Sequence, residues 1–143
     1  MSVLNETDAI AALLQRVKTI AVVGLSDNPL RPSHGVAAYL QRCGYRIIPV
    51  NPQIPEALGE RAYASLSAIP AEVNIDLVDV FRRPEYVPEI VDQTLARRVP
   101  AIWMQEGVIH EQAAQKARQA GIFLVMDRCI LKEHRARGLQ AKS

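Results

Sequence analysis

The most constraining feature of this sequence is an alternation of short, β-branched apolar runs with amphipathic stretches of helical length. Five runs of strand character occupy residues 19–23, 45–50, 75–80, 101–104 and 122–126. Stretches with helical periodicity separate most of these runs and also flank them at both ends. This alternation is typical of βαβ units, so we expect a parallel sheet covered by helices on both faces.

The predicted helices are bounded by capping residues, glycines and prolines. A first helix ends at residue 17 and is capped by Asn5 or Thr7, and a second, capped by Ser33, runs to residue 42. The proline-rich segment 51–70 is predicted to be a loop with one helical turn near residues 64–68. The remaining helices are predicted at residues 85–98, 109–120 and 130–137.

The chain length of 143 residues suits one domain with a hydrophobic core, and we expect residues 1–143 to form it. The predicted fold class is α/β, a single doubly wound open parallel sheet of about five strands, Rossmann-like, with strand order 3-2-1-4-5. Ligands of such sheets lie outside the carboxyl ends of the strands. The loops that follow the first four strands therefore form the predicted site.

Charge and composition exclude several classes of function. The net charge is +2 and the basic residues are scattered apart from a C-terminal cluster, which argues against nucleic-acid binding. No apolar run approaches the ~20 residues that cross a bilayer, so we expect no membrane association. Cys43 and Cys129 lack the spacing of a disulfide framework or a metal site, which favours a cytoplasmic location and no metal.

The loop after the first strand is suited to a phosphate group. Gly24 permits a tight turn, Ser26 carries a hydroxyl, and Ser33 begins a helix whose first amides would face an anion. Arg31 would supply the opposite charge. The loop lacks a full glycine-rich fingerprint, so an ordinary strand-to-helix turn is the alternative interpretation.

The loop after the second strand begins with Asn51 and Pro52. An NAD-dependent dehydrogenase would be expected to carry an Asp or Glu there to hold the ribose hydroxyls. An uncharged Asn tolerates a phosphate on the ribose, so coenzyme A and NADP remain candidates. The alternative is that these two residues simply begin a loop.

The loops after the third and fourth strands supply charge and apolar surface. Phe81 and the arginine pair that begins at Arg82 bring an aromatic ring and guanidinium groups, which can pair with phosphate or stack on adenine. Gln105 and Glu106 follow the fourth strand. Trp103, just before them, belongs either to the ligand surface or to the core.

The remaining polar residues do not form a catalytic constellation. His34, His110 and His134 stand in separate helices without a carboxylate or thiol at an activating spacing, so we expect surface or helix-end histidines. Asp79 lies inside an otherwise apolar strand, and its burial would need an explanation. We therefore predict no catalytic residues.

Five segments, in this order, make the chain resemble a known family. They are residues 23–26 (VGLS) with Pro29, Arg31 and Ser33, residues 44–52 (GYRIIPVNP), 79–84 (DVFRRP), 103–107 (WMQEG) and 126–129 (MDRC). With these segments the sequence resembles the small stand-alone coenzyme A binding proteins of bacteria and archaea. Their single domain is similar to the CoA-binding domain of the succinyl-CoA synthetase alpha subunit. The resemblance spans residues 19–129.

The resemblance implies a place for each part of the coenzyme. Residues that would face the pyrophosphate are Gly24, Ser26 and Arg31. Residues near the ribose and adenine would be Asn51 and Pro52. Residues lining the adenine and 3′-phosphate side would be Phe81, Arg82 and Val87. Residues beside the pantetheine arm would be Met104, Gln105 and Glu106. The synthetase's second domain and phosphohistidine loop have no counterpart here, so ligase activity is not implied.

The leading hypothesis is a protein that binds coenzyme A or acyl-CoA without catalysis of its own. One alternative is an NADP-dependent oxidoreductase, because the fold and the arginines near the ribose position suit that cofactor equally. A second alternative is a CoA-binding subunit of a larger acyl-CoA enzyme, whose partner protein would supply the catalytic residues.

Overall fold

The computed structural model describes residues 6–139 and 141–142. Its strands are β1 (Thr19–Val23), β2 (Arg46–Val50), β3 (Glu56–Ala57), β4 (Glu60–Arg61), β5 (Leu77–Val80), β6 (Ala101–Met104) and β7 (Phe123–Met126). All pairings among β1, β2, β5, β6 and β7 are parallel, and these strands form one five-stranded sheet. The short strands β3 and β4 form an antiparallel hairpin within the segment that was predicted as a loop.

The helices are α1 (Glu6–Arg16), α2 (Pro32–Arg42), α3 (Val87–Ala96), α4 (Glu111–Gln119) and α5 (Ile130–Ala136). Helices α1, α2 and α5 pack on one face of the sheet, and α3 and α4 pack on the other. The predicted α/β class with helices on both faces is confirmed. Asn5 lies outside the described residues, and Thr7 lies inside α1 rather than at its cap.

The strand order differs from the predicted 3-2-1-4-5. The third long strand, β5, pairs with β1 rather than with β2, so the order is β2-β1-β5-β6-β7. Pro49 explains why β2 lies at an edge, because proline has no amide hydrogen to donate to a second neighbour. The outer side of β2 is partly covered by Tyr63, which accepts from the Asn51 N–H and donates to the Pro49 carbonyl.

The sheet separates two layers of buried apolar side chains. The layer beneath α3 and α4 includes Val78, Val80 and Ile102, and the opposite layer includes Ile20 and Trp103. Each fully buried aliphatic side chain contributes about 1.5–3 kcal/mol relative to exposure, so these layers dominate the stability. Trp103 is completely buried, and its indole N–H donates to the Arg128 carbonyl. It therefore belongs to the core and not to the ligand surface.

Helix starts differ from prediction in two places that concern the site. Arg31, not Ser33, is the N-cap of α2, and the helix begins at Pro32. A 3-10 turn at Pro84–Tyr86 precedes α3, so the predicted helix 85–98 has two parts. In the part of the chain that the structure describes, no helix is long and apolar enough to cross a membrane.

Candidate functional site

Three adjoining cavities line the carboxyl edge of the sheet. We call them the α3 cavity, of about 150 Å³, the α2 cavity, of about 380 Å³, and the β6 cavity, of about 430 Å³. Gly24 lines both the α3 and the α2 cavity, whereas Pro32 and Phe81 line both the α2 and the β6 cavity. Arg82 lines both the α3 and the β6 cavity, so each cavity adjoins the other two, and we call the three together the groove.

The groove follows the point where the winding of the sheet reverses. The chain moves outward from β1 to β2 and then returns to place β5 on the other side of β1. Gly24 directly follows β1, and Phe81 directly follows β5. In open α/β sheets, ligands bind outside the carboxyl ends of the strands at this switch point. The loops after β1, β2, β5 and β6 therefore converge on one crevice, as predicted.

The α2 cavity is built on a pre-ordered loop. The Ser33 hydroxyl accepts from the Ser26 N–H at 3.0 Å, and the Ser26 hydroxyl accepts from the Asn28 N–H at 3.0 Å. Both hydroxyls keep a proton that they can donate to a ligand. Arg31, whose side chain is exposed, lines the same cavity. Two hydroxyl donors and one guanidinium thus surround a space that suits an anion.

The helix start contributes fewer amides to this cavity than the sequence predicts. Pro32 has no N–H, and the His34 N–H already donates to the Arg31 carbonyl at 3.1 Å. Of the first three helical positions, Ser33 is therefore the one whose N–H remains to bind a ligand. The positive end of the eleven-residue α2 still faces the cavity and favours negative charge there.

Gly24 is required by a close approach of two backbone segments. Its φ is +89°, and a Cβ built on it would lie 2.5 Å from the Phe81 carbonyl oxygen and 3.1 Å from Arg82 Cδ. The loop after β5 therefore packs directly onto the turn after β1. This contact fixes Phe81 and Arg82 relative to the α2 cavity.

One face of the turn and helix after β5 lines the α3 cavity. Tyr86, Glu89, Ile90 and Gln93 follow the spacing i, i+3, i+4, i+7, which places them on one side of a helix. The Arg82 guanidinium lies over the Tyr86 ring, with its carbon 4.1 Å from the ring centroid. This cation–π contact orders a flat, charged group at the cavity wall.

The opposite wall of the α3 cavity is the segment 64–66, which α3 holds in place. The Gln93 side-chain oxygen accepts from the Leu66 N–H at 3.1 Å. One turn later, the Arg97 guanidinium donates to four carbonyl oxygens, those of Leu66, Ile69, Pro70 and Val73. These hydrogen bonds fix an irregular segment at a defined distance from α3.

The β6 cavity lies between the loops after β5 and β6 and the start of α5. Gln105 is almost fully buried, and its side-chain oxygen accepts from the Ile130 N–H at 3.2 Å. The Gly107 N–H donates to the Asp127 carboxylate at 2.8 Å, which ties the loop after β6 to the loop after β7. Cys129, partly buried and with a free thiol, lines the cavity.

The structure brings nine of the twelve predicted site residues to the groove. They are Gly24, Ser26, Arg31, Ser33, Pro52, Phe81, Arg82, Gln105 and Glu106. It does not bring the other three to the groove wall. Val87 and Met104 are fully buried in the layer beneath α3 and α4. Asn51 donates from its amide to the Leu25 carbonyl at 3.0 Å and accepts from the Gln53 N–H at 2.8 Å, so it links two loops.

Sequence reasoning missed the wall residues contributed by the 3-10 turn and by α3, chiefly Tyr86, Glu89 and Gln93. Their helical spacing is visible in the sequence and could have identified a common face. It missed Ser65 because the path of the segment 51–76 is irregular and is held by Arg97, a long-range contact. Cys129 belongs to no recognisable metal or disulfide motif in the sequence, and only the tertiary structure places it beside Gln105.

Two buried titratable groups, Asp79 and His134, lie on the α1, α2 and α5 face of the sheet. Asp79 is completely buried between Val22 and Trp103, and neither carboxyl oxygen meets a hydrogen-bond partner in residues 6–139 and 141–142. Burial raises the pKa of the Asp79 carboxyl well above its usual value, so the acid is neutral over a wider pH range. Asp79 is thus buried inside the strand, and protonation of its carboxyl is what makes this burial tolerable.

His134 lies in the last turn of α5, as expected of a helix-end histidine, but its side chain is buried rather than exposed. Its Nδ1 forms a 2.8 Å hydrogen bond with the Tyr39 hydroxyl, and its ring contacts Tyr45 edge-on. Burial, with a smaller contribution from Lys142, lowers the pKa of the imidazole. His110 is a helix-end residue as predicted, because its Nδ1 accepts from the Ala113 N–H and caps α4. Among the described residues, no group of three metal-ligating side chains occurs.

The fold places the chain in the Rossmann-like class of α/β proteins, with a groove at the switch point of the sheet. A model of the CoA binding domain family matches residues 18–135, and the chain belongs to this family.

Similarity to individual proteins supports this assignment. The uncharacterised protein YneT of Bacillus subtilis (strain 168) is 47% identical over 125 residues, 87% of this chain and 91% of YneT. The solved structure of cell-free ID.343 from Thermus thermophilus matches with a TM-score of 0.87 and 38% identity, over 92% of this chain and 98% of that chain.

The dinucleotide forming Acetyl-coenzyme A synthetase 1 of Ca. Korarchaeum cryptofilum also matches, with a TM-score of 0.65 and 20% identity. The match covers 75% of this chain and 25% of the synthetase. At this identity, the likeness shows a shared fold.

Proposed function

We propose that the groove binds coenzyme A as one extended ligand, without catalysis by this chain. The adenine enters the α3 cavity, the diphosphate occupies the α2 cavity, and the pantetheine arm runs through the β6 cavity. The observation that carries this proposal is that the α2 cavity, which suits an anion, shares lining residues with both of the other cavities. Membership of the CoA binding domain family supports the choice of ligand.

The character of each cavity supports this assignment. The α2 cavity offers two hydroxyls, an arginine and a helix start, which suit a diphosphate. The α3 cavity offers Pro52, Ile90 and a stacked guanidinium, which suit a flat base. The β6 cavity offers Val36, Phe81 and Val108 beside the Gln105 amide, which suits an apolar arm with amide groups.

The proposed role is binding in the cytoplasm, of either free coenzyme A or an acyl-CoA. None of the three histidines of the chain is among the described groove-lining residues. A groove lining without histidine is compatible with a partner enzyme that supplies the catalytic residues. A pull-down from cell extract that returns a stoichiometric acyl-CoA enzyme would favour the role of a subunit over that of a stand-alone binder.

Competition between NADPH and coenzyme A distinguishes the proposed function from the chief enzymatic alternative, an NADP-dependent oxidoreductase. We expect saturable binding of coenzyme A and no displacement of coenzyme A by an excess of NADPH. Trp103 is a poor direct reporter, because it is completely buried beneath the groove. Displacement of a fluorescent coenzyme A derivative is therefore the better measurement. Tighter binding of NADPH than of coenzyme A would favour the oxidoreductase.

The two groove arginines should serve different phosphates. Arg31→Ala should weaken the binding of coenzyme A and of 3′-dephospho-coenzyme A equally, by about tenfold or more, because both ligands carry the diphosphate. Arg82→Ala should weaken the binding of coenzyme A more than that of the dephospho form, since Arg82 lines the α3 cavity, to which we assign the 3′-phosphate together with the adenine. Calorimetric titration of each variant with each ligand measures the four affinities.

The control for these variants is Arg118→Ala, an exposed arginine of α4. It changes the net charge equally and should leave both affinities unaltered. Equal losses for both ligands in both groove variants would contradict the assignment of separate phosphates.

The two cysteines provide a footprint of the bound ligand. Cys129 lines the β6 cavity, whereas Cys43 lies at the other end of α2, and both thiols are free and partly exposed. We expect saturating coenzyme A to slow alkylation of Cys129 by about tenfold or more and to leave Cys43 unchanged. Mass spectrometry of peptides alkylated over time gives both rates in one sample. Equal protection of both thiols, or of neither, would argue against the path of the arm.

A further inference from the structure

The edge strand β7 is open on its outer side. Within residues 6–139 and 141–142, β7 has one strand neighbour, β6. The Phe123 N–H donates to the Pro100 carbonyl at 3.0 Å, on the β6 side. Because backbone groups point to alternate sides along a strand, the N–H and C=O groups of Leu124 and Met126 face the open side. These groups are placed to pair with a further strand.

The two edges of the sheet differ in their protection against such pairing. Edge strands are usually blunted by a proline, a charged side chain, a bulge or a covering segment. At the other edge, β2 contains Pro49 and is partly covered by Tyr63. Residues 122–126 (IFLVM) contain no proline and no charge, and the register of β7 with β6 has no bulge. The edge at β7 therefore lacks these protective features.

Helix α4 presents charged residues beside this edge. The ion pair between Lys116 and Asp92, at 2.6 Å, marks the side of α4 that faces α3, and the buried alanines of α4 face the sheet. The remaining side, which projects past β7, carries Glu111, Gln115 and Arg118 at the spacing i, i+4, i+7. Glu111 and Arg118 are exposed, and neither has an ion-pair partner among the described residues.

The order of these charges along the strand is self-complementary. Helix α4 ends just before β7 begins, so it runs antiparallel to the strand. Glu111 therefore lies at the carboxyl end of β7 and Arg118 at its amino end. A second copy that runs in the opposite direction would place its Arg118 opposite this Glu111, and its Glu111 opposite this Arg118. Gln115, midway between the two charges, would lie near the two-fold axis.

Helix α1 repeats the same order of charges on the other face of the sheet. Glu6, in its first turn, forms a 2.7 Å ion pair with Arg128, just after β7. Arg16, in its last turn, lies over the ring of Phe123 at the start of β7, 5.9 Å from the centroid. Both helices beside the open edge thus have acidic residues at the carboxyl end of β7 and basic residues at its amino end.

We propose that β7 pairs antiparallel with β7 of a second copy of this chain, forming a two-fold dimer with one continuous sheet. Glu111 of each copy faces Arg118 of the other, as in an isologous interface. Because the two sheets run in opposite directions, their carboxyl edges point away from each other and both grooves stay open. The dimer is therefore independent of the proposed binding of coenzyme A.

The test measures the dissociation constant of the dimer by sedimentation equilibrium. Wild type should form dimers of twice the chain mass as its concentration rises. Arg118→Glu and Glu111→Arg each bring like charges together, at two places because of the symmetry, and should weaken the dimer by about tenfold or more. An equal mixture of the two variants should recover wild-type dimerisation, because every Glu then faces an Arg. Both residues are exposed, so both variants should fold.

Arg42→Glu is the control, because it makes the same change in charge at the exposed end of α2, which packs beside β2 at the opposite edge. It should keep the wild-type dissociation constant. Leu124→Pro removes an outward N–H of β7 and should abolish the dimer. A wild type that stays monomeric at every concentration, a mixture no more dimeric than its single variants, or a folded Leu124→Pro that still dimerises would overturn the inference. The affinity for coenzyme A, measured separately, decides the proposed function.

Discussion

Replacing Gly24 by alanine should lower the free energy of unfolding by about 3 kcal/mol or more and weaken the binding of coenzyme A by at least tenfold. Two effects add at this position. The backbone has a φ of +89°, where any side chain is strained, and a Cβ would lie 2.5 Å from the Phe81 carbonyl oxygen. That neighbour is backbone and is tied to the end of β5, so it moves only if the strand edge moves.

Gly121 provides the matched control for this substitution. Its φ is +87°, but a Cβ there would meet nothing within 4 Å. Gly121→Ala should therefore show the backbone strain alone, about 1–2 kcal/mol, and normal binding. Urea denaturation measures the first quantity and calorimetric titration the second. Equal destabilisation by the two substitutions would show that the contact between the loops after β1 and β5 has been misjudged.

Replacing Asp79 should stabilise the protein, increasingly so as the pH rises. Burial raises the pKa of the Asp79 carboxyl in the folded state, so the folded protein holds a proton that the unfolded chain releases. Stability is consequently lost as the pH rises from the ordinary carboxyl pKa of about 4, by about 1.4 kcal/mol per pH unit, until the raised folded-state pKa is passed. Asp79→Asn removes this dependence, because an amide does not titrate.

The difference in unfolding free energy between Asp79→Asn and wild type should therefore grow as the pH rises above 5, until the raised folded-state pKa of Asp79 is passed. Asp79→Val should stabilise at neutral pH by about 2 kcal/mol or more, because it replaces an unpaired buried carboxyl between Val22 and Trp103 with an apolar group. Thermal and urea unfolding at several pH values measure both effects. A difference that stays constant from pH 5 upward would contradict the buried, proton-holding state of Asp79.

Asp76 supplies a matched carboxyl at the opposite end of the same segment. Its carboxylate accepts from the N–H groups of Lys18 and Thr19 at 3.0 and 2.9 Å. Asp76→Asn should destabilise by about 1 kcal/mol, since a charged acceptor is replaced by a neutral one. The same chemical change is thus expected to have opposite signs at positions 76 and 79.

The sequence predicted the elements of the fold better than their arrangement. Strands rich in β-branched residues identify themselves by composition, and Gly44, with a φ of +95°, follows α2 as a helix-ending glycine should. The strand order was wrong, because alternation alone does not say on which side of β1 the third long strand lies. Pro49 carried that information, since a strand with a proline lacks one donor and suits an edge.

The site was predictable where it consists of loops that directly follow strands. Gly24, Phe81 and Gln105 reach the groove because the carboxyl ends of parallel strands share one edge. Val87 and Met104 do not, because each turns its side chain into the core layer beneath α3 and α4. The wall opposite α3 depends on Arg97 and its four carbonyl partners, an arrangement that local sequence rules do not encode.

The most direct test of the proposed function is calorimetric titration of the wild-type protein with coenzyme A. We expect one saturable binding event per chain, lost or weakened at least tenfold in Arg31→Ala and retained in Arg118→Ala. The absence of saturable heat at millimolar coenzyme A, from protein shown to be folded, would contradict the account.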